Sequence, residues 1–388
     1  MISVDLVPEV AYSAPWSIDL LQRMRMLTRG ERAVAYFYEE PDDSTFRYRV
    51  YNMVQAINSE DDGISASFFF LKDLHRLSEI ADTADLLVVC RTRYDHRVNH
   101  LISAFRYRGK RVMFDIDDFV FNPDYAHLIQ CTLDQDLRQP AGWDYWFAYT
   151  ARLGTVLKMC DGAITTNEYL GKRISDYASL PVAIVPNFLN RQQLEVSDRI
   201  FAARCSQVVG PGDPIRLGYF SGSPSHNRDF AMVEPALETL LQEDDRLQLV
   251  VAGYIDTGAV FKLFGSRVTY YPFQDFINLQ RLVGSVLFNL APLQYNAFTN
   301  CKSDIKYFEA AVVGTPSIVS PTFAYARAVR DGENGYIAGA HQWTETIRRA
   351  VAGLEDYQAM AEHSRRDALE KYAWYNQRTR ILSALGLS

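Results

Sequence analysis

Short apolar runs rich in β-branched and aromatic residues recur along the chain, each followed by a longer stretch with helical spacing. Nothing else in the sequence limits the fold so strongly. In the first half the runs are "AVAYFY" (33–38), "SASFFFL" (65–71), "LLVVC" (86–90), "RVMFDID" (111–117), "GAITT" (162–166) and "VAIVP" (182–186). Amphipathic stretches such as "TFRYRVYNMVQAIN" (45–58) and "HRVNHLISAFRYRG" (96–109) lie between them. Near-continuous apolar strands alternating with helices predict a parallel sheet covered on both faces.

The second half repeats the scheme with runs at 215–220, 247–253, 267–272, 286–293, 316–320 and 334–338. Helices are expected at 229–242, 275–284, 302–313, 322–330 and 341–353. The polar stretch "QVVGPGDP" (207–214) reads as the linker. The expected organisation is a first domain over 1–206, with 1–31 as a helical extension, and a second over 207–375. A last helix at 376–388 is expected to pack back on the first domain. Doubly wound sheets take ligands outside the carboxyl ends of their strands, so an active site belongs in the cleft between the halves.

A formal charge of -7 argues against a nucleic-acid partner, whose affinity would need a basic surface. Five scattered cysteines without a C-x-x-C read as reduced thiols. The start "MISVDLVPEVAYSAPW" has no basic-then-apolar signal pattern, and no run approaches the ~18 apolar residues of a membrane span. The expectation is a cytoplasmic protein. A peripheral contact with the inner face of the membrane stays open through "RYRGKR" (106–111), which otherwise reads as a solvated helix end.

Two stretches of the second half carry chemistry. "GYFSGSPSHNRDF" (218–230) follows its first strand, where Gly222, Ser223 and the helix opening near Asp229 offer N–H groups to an anion. His226 and Arg228 would add donors; an ordinary strand-to-helix loop is the plainer alternative. In "NCKSDIKYFEAAVVGTPSIVS" (300–320), Asn300, Lys302 and Ser303 fall at an expected helix start. Lys302, Lys306 and Glu309 share a face at i, i+4 and i+7. Two amines there would stabilise a departing diphosphate, and the carboxylate would accept from ribose hydroxyls. The competing reading is a solvated face with a weak ion pair.

Together with "YARAVRDGENGYIAG" (325–339), this stretch resembles the donor-binding half of retaining GT-B glycosyltransferases, in particular glycosyltransferase family 4. The resemblance covers 215–380, and the first half by pattern only. It implies two facing Rossmann-like domains, a nucleotide diphosphate-sugar donor, no metal and no further cofactor. It assigns Glu309 to the donor ribose. Three positions depart from the pattern: Cys301 stands where a sugar-contacting glutamate is usual, Ser223 stands where an arginine is, and Arg228 lies near the usual lysine.

In the first half, "FDIDDFVFNPDYAHL" (114–128) closes the fourth strand. Acids at a sheet's carboxyl edge need a cation, a hydroxyl or water. A D-x-D holding a divalent metal is the alternative. Asp117 and Asp118 are the candidates for donor hydroxyls or for positioning the acceptor, with His127 beside the acceptor. Arg47, Arg49, Arg91 and Arg93 are candidates for an anionic acceptor.

The reading is a retaining transferase moving a hexose or deoxyhexose to a glycan or lipid-linked glycan in surface polysaccharide or glycoconjugate synthesis. The alternatives are a nucleotide-sugar epimerase of the same fold and a non-catalytic glycan-assembly subunit. The sugar, the base and the oligomeric state are not legible.

Overall fold

The computed structural model describes residues 7–205, 207, 210, 212–222 and 226–388. Twelve strands among them form two sheets of six, with every pairing parallel. The first sheet contains β1 (Arg32–Phe37), β2 (Ile64–Phe69), β3 (Leu86–Cys90), β4 (Arg111–Asp115), β5 (Gly162–Thr165) and β6 (Val182–Ile184), in the order β2-β1-β3-β4-β5-β6. The second contains β7 (Ile215–Ser221), β8 (Leu247–Gly253), β9 (Val268–Tyr271), β10 (Phe288–Ala291), β11 (Ser317–Val319) and β12 (Gly335–Ile337). From its far edge it runs β9-β8-β7-β10-β11-β12, the order of a dinucleotide-binding sheet, which reverses between β7 and β10. Each strand coincides with an apolar run, because burial on both faces demands side chains that pack on both.

The helices differ more from expectation. The helix expected from 302 begins at Ile305, after a short helix Ala297–Asn300 and a break at 301–304. Asn300, Lys302 and Ser303 therefore do not open a helix. The stretch 229–242 is two helices, Asn227–Phe230 and Glu234–Glu243. In the first half, 47–51 forms one turn of π-helix that runs on into Asn52–Ile57.

The chain crosses between the sheets earlier than its glycine- and proline-containing stretch suggests. Helix Arg191–Cys205, placed in the first half by sequence, packs on Phe276–Gly284 of the second. Gln280 donates to Ser197 Oγ at 2.9 Å, and Arg204 donates to the carbonyls of Gly284 and Val286. Gly284 allows the approach, since a Cβ there would meet Ile200 at 2.4 Å. The chain returns near 373, where Leu189 N–H bonds the Tyr372 carbonyl at 2.8 Å and Leu189 bridges Ala373. Helix Arg378–Leu385 lies against Asn52–Ile57, with Arg378 donating to Asp62 at 2.6 Å. One apolar core joins the halves: Phe46, Val54 and Phe68 share it with Phe276, Phe308, Val312, Tyr372 and Ile381.

Candidate active site

The carboxyl ends of the two sheets meet across residues 45–49, 91, 115–118, 187–193 and 302–309. On the first-half side, Asp115 closes β4 and is fully buried with Arg49. Arg49 Nε and Nη2 bind its two oxygens at 2.7 and 3.0 Å, and Nη1 donates to the Val185 carbonyl at 2.7 Å. That bidentate pair is a structural anchor, which removes Arg49 from the candidates for an anionic acceptor. Arg93 is likewise held, with Glu39 at 2.5 Å.

Asp117 and Asp118 lie beyond the strand and form a chain of charges. Arg91 Nη1 donates to Thr45 Oγ1 (2.9 Å), Asp117 Oδ1 (3.1 Å) and Asp118 Oδ2 (3.2 Å). Lys302 Nζ, from the second half, approaches Asp118 Oδ1 at 3.5 Å. Burial acts to raise the Asp118 carboxyl, but Lys302 and Arg91 hold it below its ordinary value. Burial pushes Asp117 up despite Arg91. Arg91 itself has a left-handed backbone (φ 38°), a strained conformation for a residue with a Cβ. With their oxygens turned to Arg49, Arg91 and Lys302, the three aspartates do not converge on a shared metal site. Among the described residues no cluster of three or more His, Cys, Asp or Glu does so.

Glu309 projects from helix Ile305–Ala311 into the first half. Its Oε1 accepts from Tyr48 Oη, from Arg47 Nη2 at 3.3 Å and from Gln193 Nε2 at 2.8 Å. Oε2 takes no hydrogen bond among the described residues. The π-turn at 47–51 makes this arrangement: Arg47 and Tyr48 reach Glu309 while Arg49 reaches Asp115. Arg47 is thereby held inside the protein and is not free to bind an acceptor. Tyr48, Gln193 and Thr45 have no signature in the sequence; only the apolar-basic alternation of "RYRVY" hints that its cations point inward.

At the switch point of the second sheet, Lys306 lies under β7. Its Nζ is buried, sits 4.7 Å from the centre of the Tyr219 ring and has no hydrogen-bond partner among the described residues. Burial pushes its pKa down to about 8. Nearby, His226 Nδ1 bonds Asp229 Oδ2 at 2.9 Å. Burial lowers the His226 pKa, and the charges of Lys306 and Lys302 lower it further. Tyr219 Oη donates to the His226 carbonyl at 3.2 Å, so the Tyr219 ring of β7 packs against both Lys306 and the His226 backbone. Gly222, exposed after β7, has open space where a Cβ would be; Ser223 lies outside the described residues.

Of the remaining candidates, Ser303 lies at the contact between the halves, and the others point elsewhere. Arg228 turns to the first half, donating to Asp134 at 2.8 Å and Cys131 Sγ at 3.1 Å. Asn300 is buried and holds local backbone, donating to the Asn296 carbonyl and accepting from Phe323 N–H. Ser303 Oγ accepts from Asn187 at 3.3 Å, a bond between the halves. His127 is exposed on helix Ala126–Thr132 without a hydrogen bond among the described residues. Cys301 is fully buried in the core of the first half, and burial pushes its thiol up. It therefore does not present a polar group to a sugar. The basic run 106–111 is internally satisfied: Arg106 pairs with Asp161, Arg108 with Asp82, and Lys110 binds two carbonyls. No helix among the described residues is long and apolar enough to cross a membrane.

No family model and no curated protein matches the sequence. Solved structures do match the fold. HepE from Anabaena, in complex with UDP and glucose, aligns with a TM-score of 0.60 at 12% identity, covering 91% of this chain and 99% of its own. Sucrose-phosphate synthase from Thermosynechococcus elongatus aligns at 0.60 and 13% identity, covering 91% and 97%. WaaG, a glycosyltransferase of lipopolysaccharide biosynthesis, aligns at 0.57 and 13% identity, covering 92% and 99%. The chain has the GT-B fold, two Rossmann-like domains facing a central cleft.

Proposed function

We propose that the chain is a glycosyltransferase using a nucleoside diphosphate-sugar, with the donor held by the second half and the acceptor by the first. The observation that carries this reading is the buried Lys306 ammonium. A buried ammonium with no hydrogen-bond partner among the described residues costs stability, and an anion at the switch point would complete it. His226, Lys302 and the N–H groups after β7 would share a diphosphate with it. Lys302 would hand its charge from Asp118 to the leaving diphosphate, and positioning with leaving-group stabilisation would supply the catalysis. Glu309 Oε2 would accept a ribose hydroxyl while Oε1 stays tied to Tyr48, Arg47 and Gln193.

The structures solved with UDP or UDP-glucose support a donor of this class. A retaining course, a hexose or deoxyhexose, and a glycan or lipid-linked glycan acceptor in surface polysaccharide synthesis complete the proposal, as does a cytoplasmic location. The test is a thermal-shift and calorimetric screen of UDP-, GDP- and dTDP-sugars against wild-type protein and Lys306→Met. Stabilisation by one nucleotide class, lost in the variant, is expected. Absence of binding by every nucleoside diphosphate would sink the proposal. A second reading, a non-catalytic subunit that keeps the fold, is favoured by the burial of Cys301; it predicts nucleotide binding without release of nucleoside diphosphate during incubation with donor.

A further inference from the structure

Away from the cleft, a cavity of about 350 Å³ opens beside the place where the chain passes between the two sheets. That is the small end of the ~300–1,000 Å³ range of small-molecule sites, with room for about a dozen waters. Its apolar walls are Pro15, Ile18, Met26, Val54, Phe68 and Trp374. Most of its polar lining is already satisfied. Asn58 exchanges two hydrogen bonds with the Ala66 backbone, Ser59 donates to the Ala56 carbonyl, and Gln55 bonds Gln192 and the Arg191 N–H.

Two lining groups keep donors that no protein acceptor engages at hydrogen-bond distance. The Arg191 guanidinium, 63% exposed, lies 5.4 Å from the Trp374 ring in a loose ion pair with Glu195 at 3.8 Å, an exchangeable partner. Tyr51 Oη accepts from Gln55 at 3.2 Å and Gln192 at 2.9 Å, so its own proton has no acceptor among the described residues. An apolar chamber whose unused polar groups all donate calls for a ligand with an apolar body and one anionic acceptor. We propose that this cavity binds a medium-chain carboxylate, its chain along Ile18, Met26, Val54 and Phe68 and its head group on Arg191 and Tyr51. This site is separate from the proposed sugar transfer and does not depend on it.

The test titrates the full chain with sodium decanoate, followed by calorimetry and by the fluorescence change of Trp374, which Trp374→Phe removes. Saturable binding of one decanoate per chain is expected, weakened at least tenfold in Arg191→Gln and abolished in Ser59→Trp, whose side chain would fill the mouth. Residues 59 and 191 are exposed, so both variants keep the fold; thermal melting checks this. Decyltrimethylammonium, with the same chain and the opposite charge, should bind at least tenfold more weakly. Wild-type binding weaker than about 1 mM would overturn the proposal. So would undiminished binding by the two variants, or equal binding of the cationic amphiphile.

Discussion

Replacing Lys306 by methionine should make the unliganded protein more stable and unable to bind nucleotide. Burial lowers the Lys306 pKa from 10.5 to about 8, so the unfolded chain holds this proton more tightly than the folded one does. Stability therefore rises with pH between about 8 and 10.5, and below about 8 the whole penalty is present. The difference corresponds to roughly 3 kcal/mol. Methionine has nearly the same reach and no charge, and its introduction strips no carboxylate of a bond. Asp229 keeps His226 and Gln294, and Glu309 keeps Tyr48, Arg47 and Gln193. With an unfolding entropy of about 2.1 cal/mol/K per residue over 388 residues, the gain is a rise of about 4 °C in Tm near neutral pH. It should shrink towards zero as the pH approaches about 10.5. Differential scanning calorimetry at several pH values, with and without UDP or GDP, reads both effects. A variant that melts below wild type near neutral pH would show that the ammonium already has a partner. A variant that keeps its nucleotide-induced shift would show that the diphosphate sits elsewhere.

Three further outcomes follow from the same geometry. Nucleoside diphosphate affinity should fall as the pH rises through about 8, where Lys306 loses its proton; in Lys306→Arg calorimetry should find that dependence flattened. Asp115→Ala should cost about 3–5 kcal/mol in denaturant unfolding, because Arg49 stays buried without its carboxylate; a change under about 1 kcal/mol would contradict the anchoring role. Glu309→Ala should both weaken nucleotide binding and destabilise the protein by about 2–4 kcal/mol, since Arg47, Tyr48 and Gln193 lose a common acceptor. Comparing its melting point with that of Glu309→Gln separates the two effects.

The strands were legible because a strand buried on both faces writes its environment directly into composition; "LLVVC" and "LQLVVAG" leave little else to be. Helix Pro140–Lys158 was not read, because the first turns of its sequence, "PAGWDYWFAY", carry aromatics on every side and show no amphipathic stripe. Lys302, Lys306 and Glu309 could be singled out because a single helix and the turn before it set their spacing. What Glu309 touches could not, since Tyr48 and Gln193 lie 261 and 116 residues away and meet it only when the halves close. Asp117 and Asp118 were visible as acids needing cations, but the cations, Arg91 and Lys302, come from different sheets.

The exchange of helices at the two crossings bears on how the molecule holds together. Helix Arg191–Cys205 leaves the first sheet to cover the second, and Arg378–Leu385 returns to cover the first. A cut near 206 would strip each fragment of surface that the other supplies: Ile200 and Arg204 from the second sheet's helices, Arg378 and Ile381 from the first's. The two sheets are distinct in topology yet share one apolar core, so the halves are expected to unfold in a single transition and a fragment of either to be less stable than the whole.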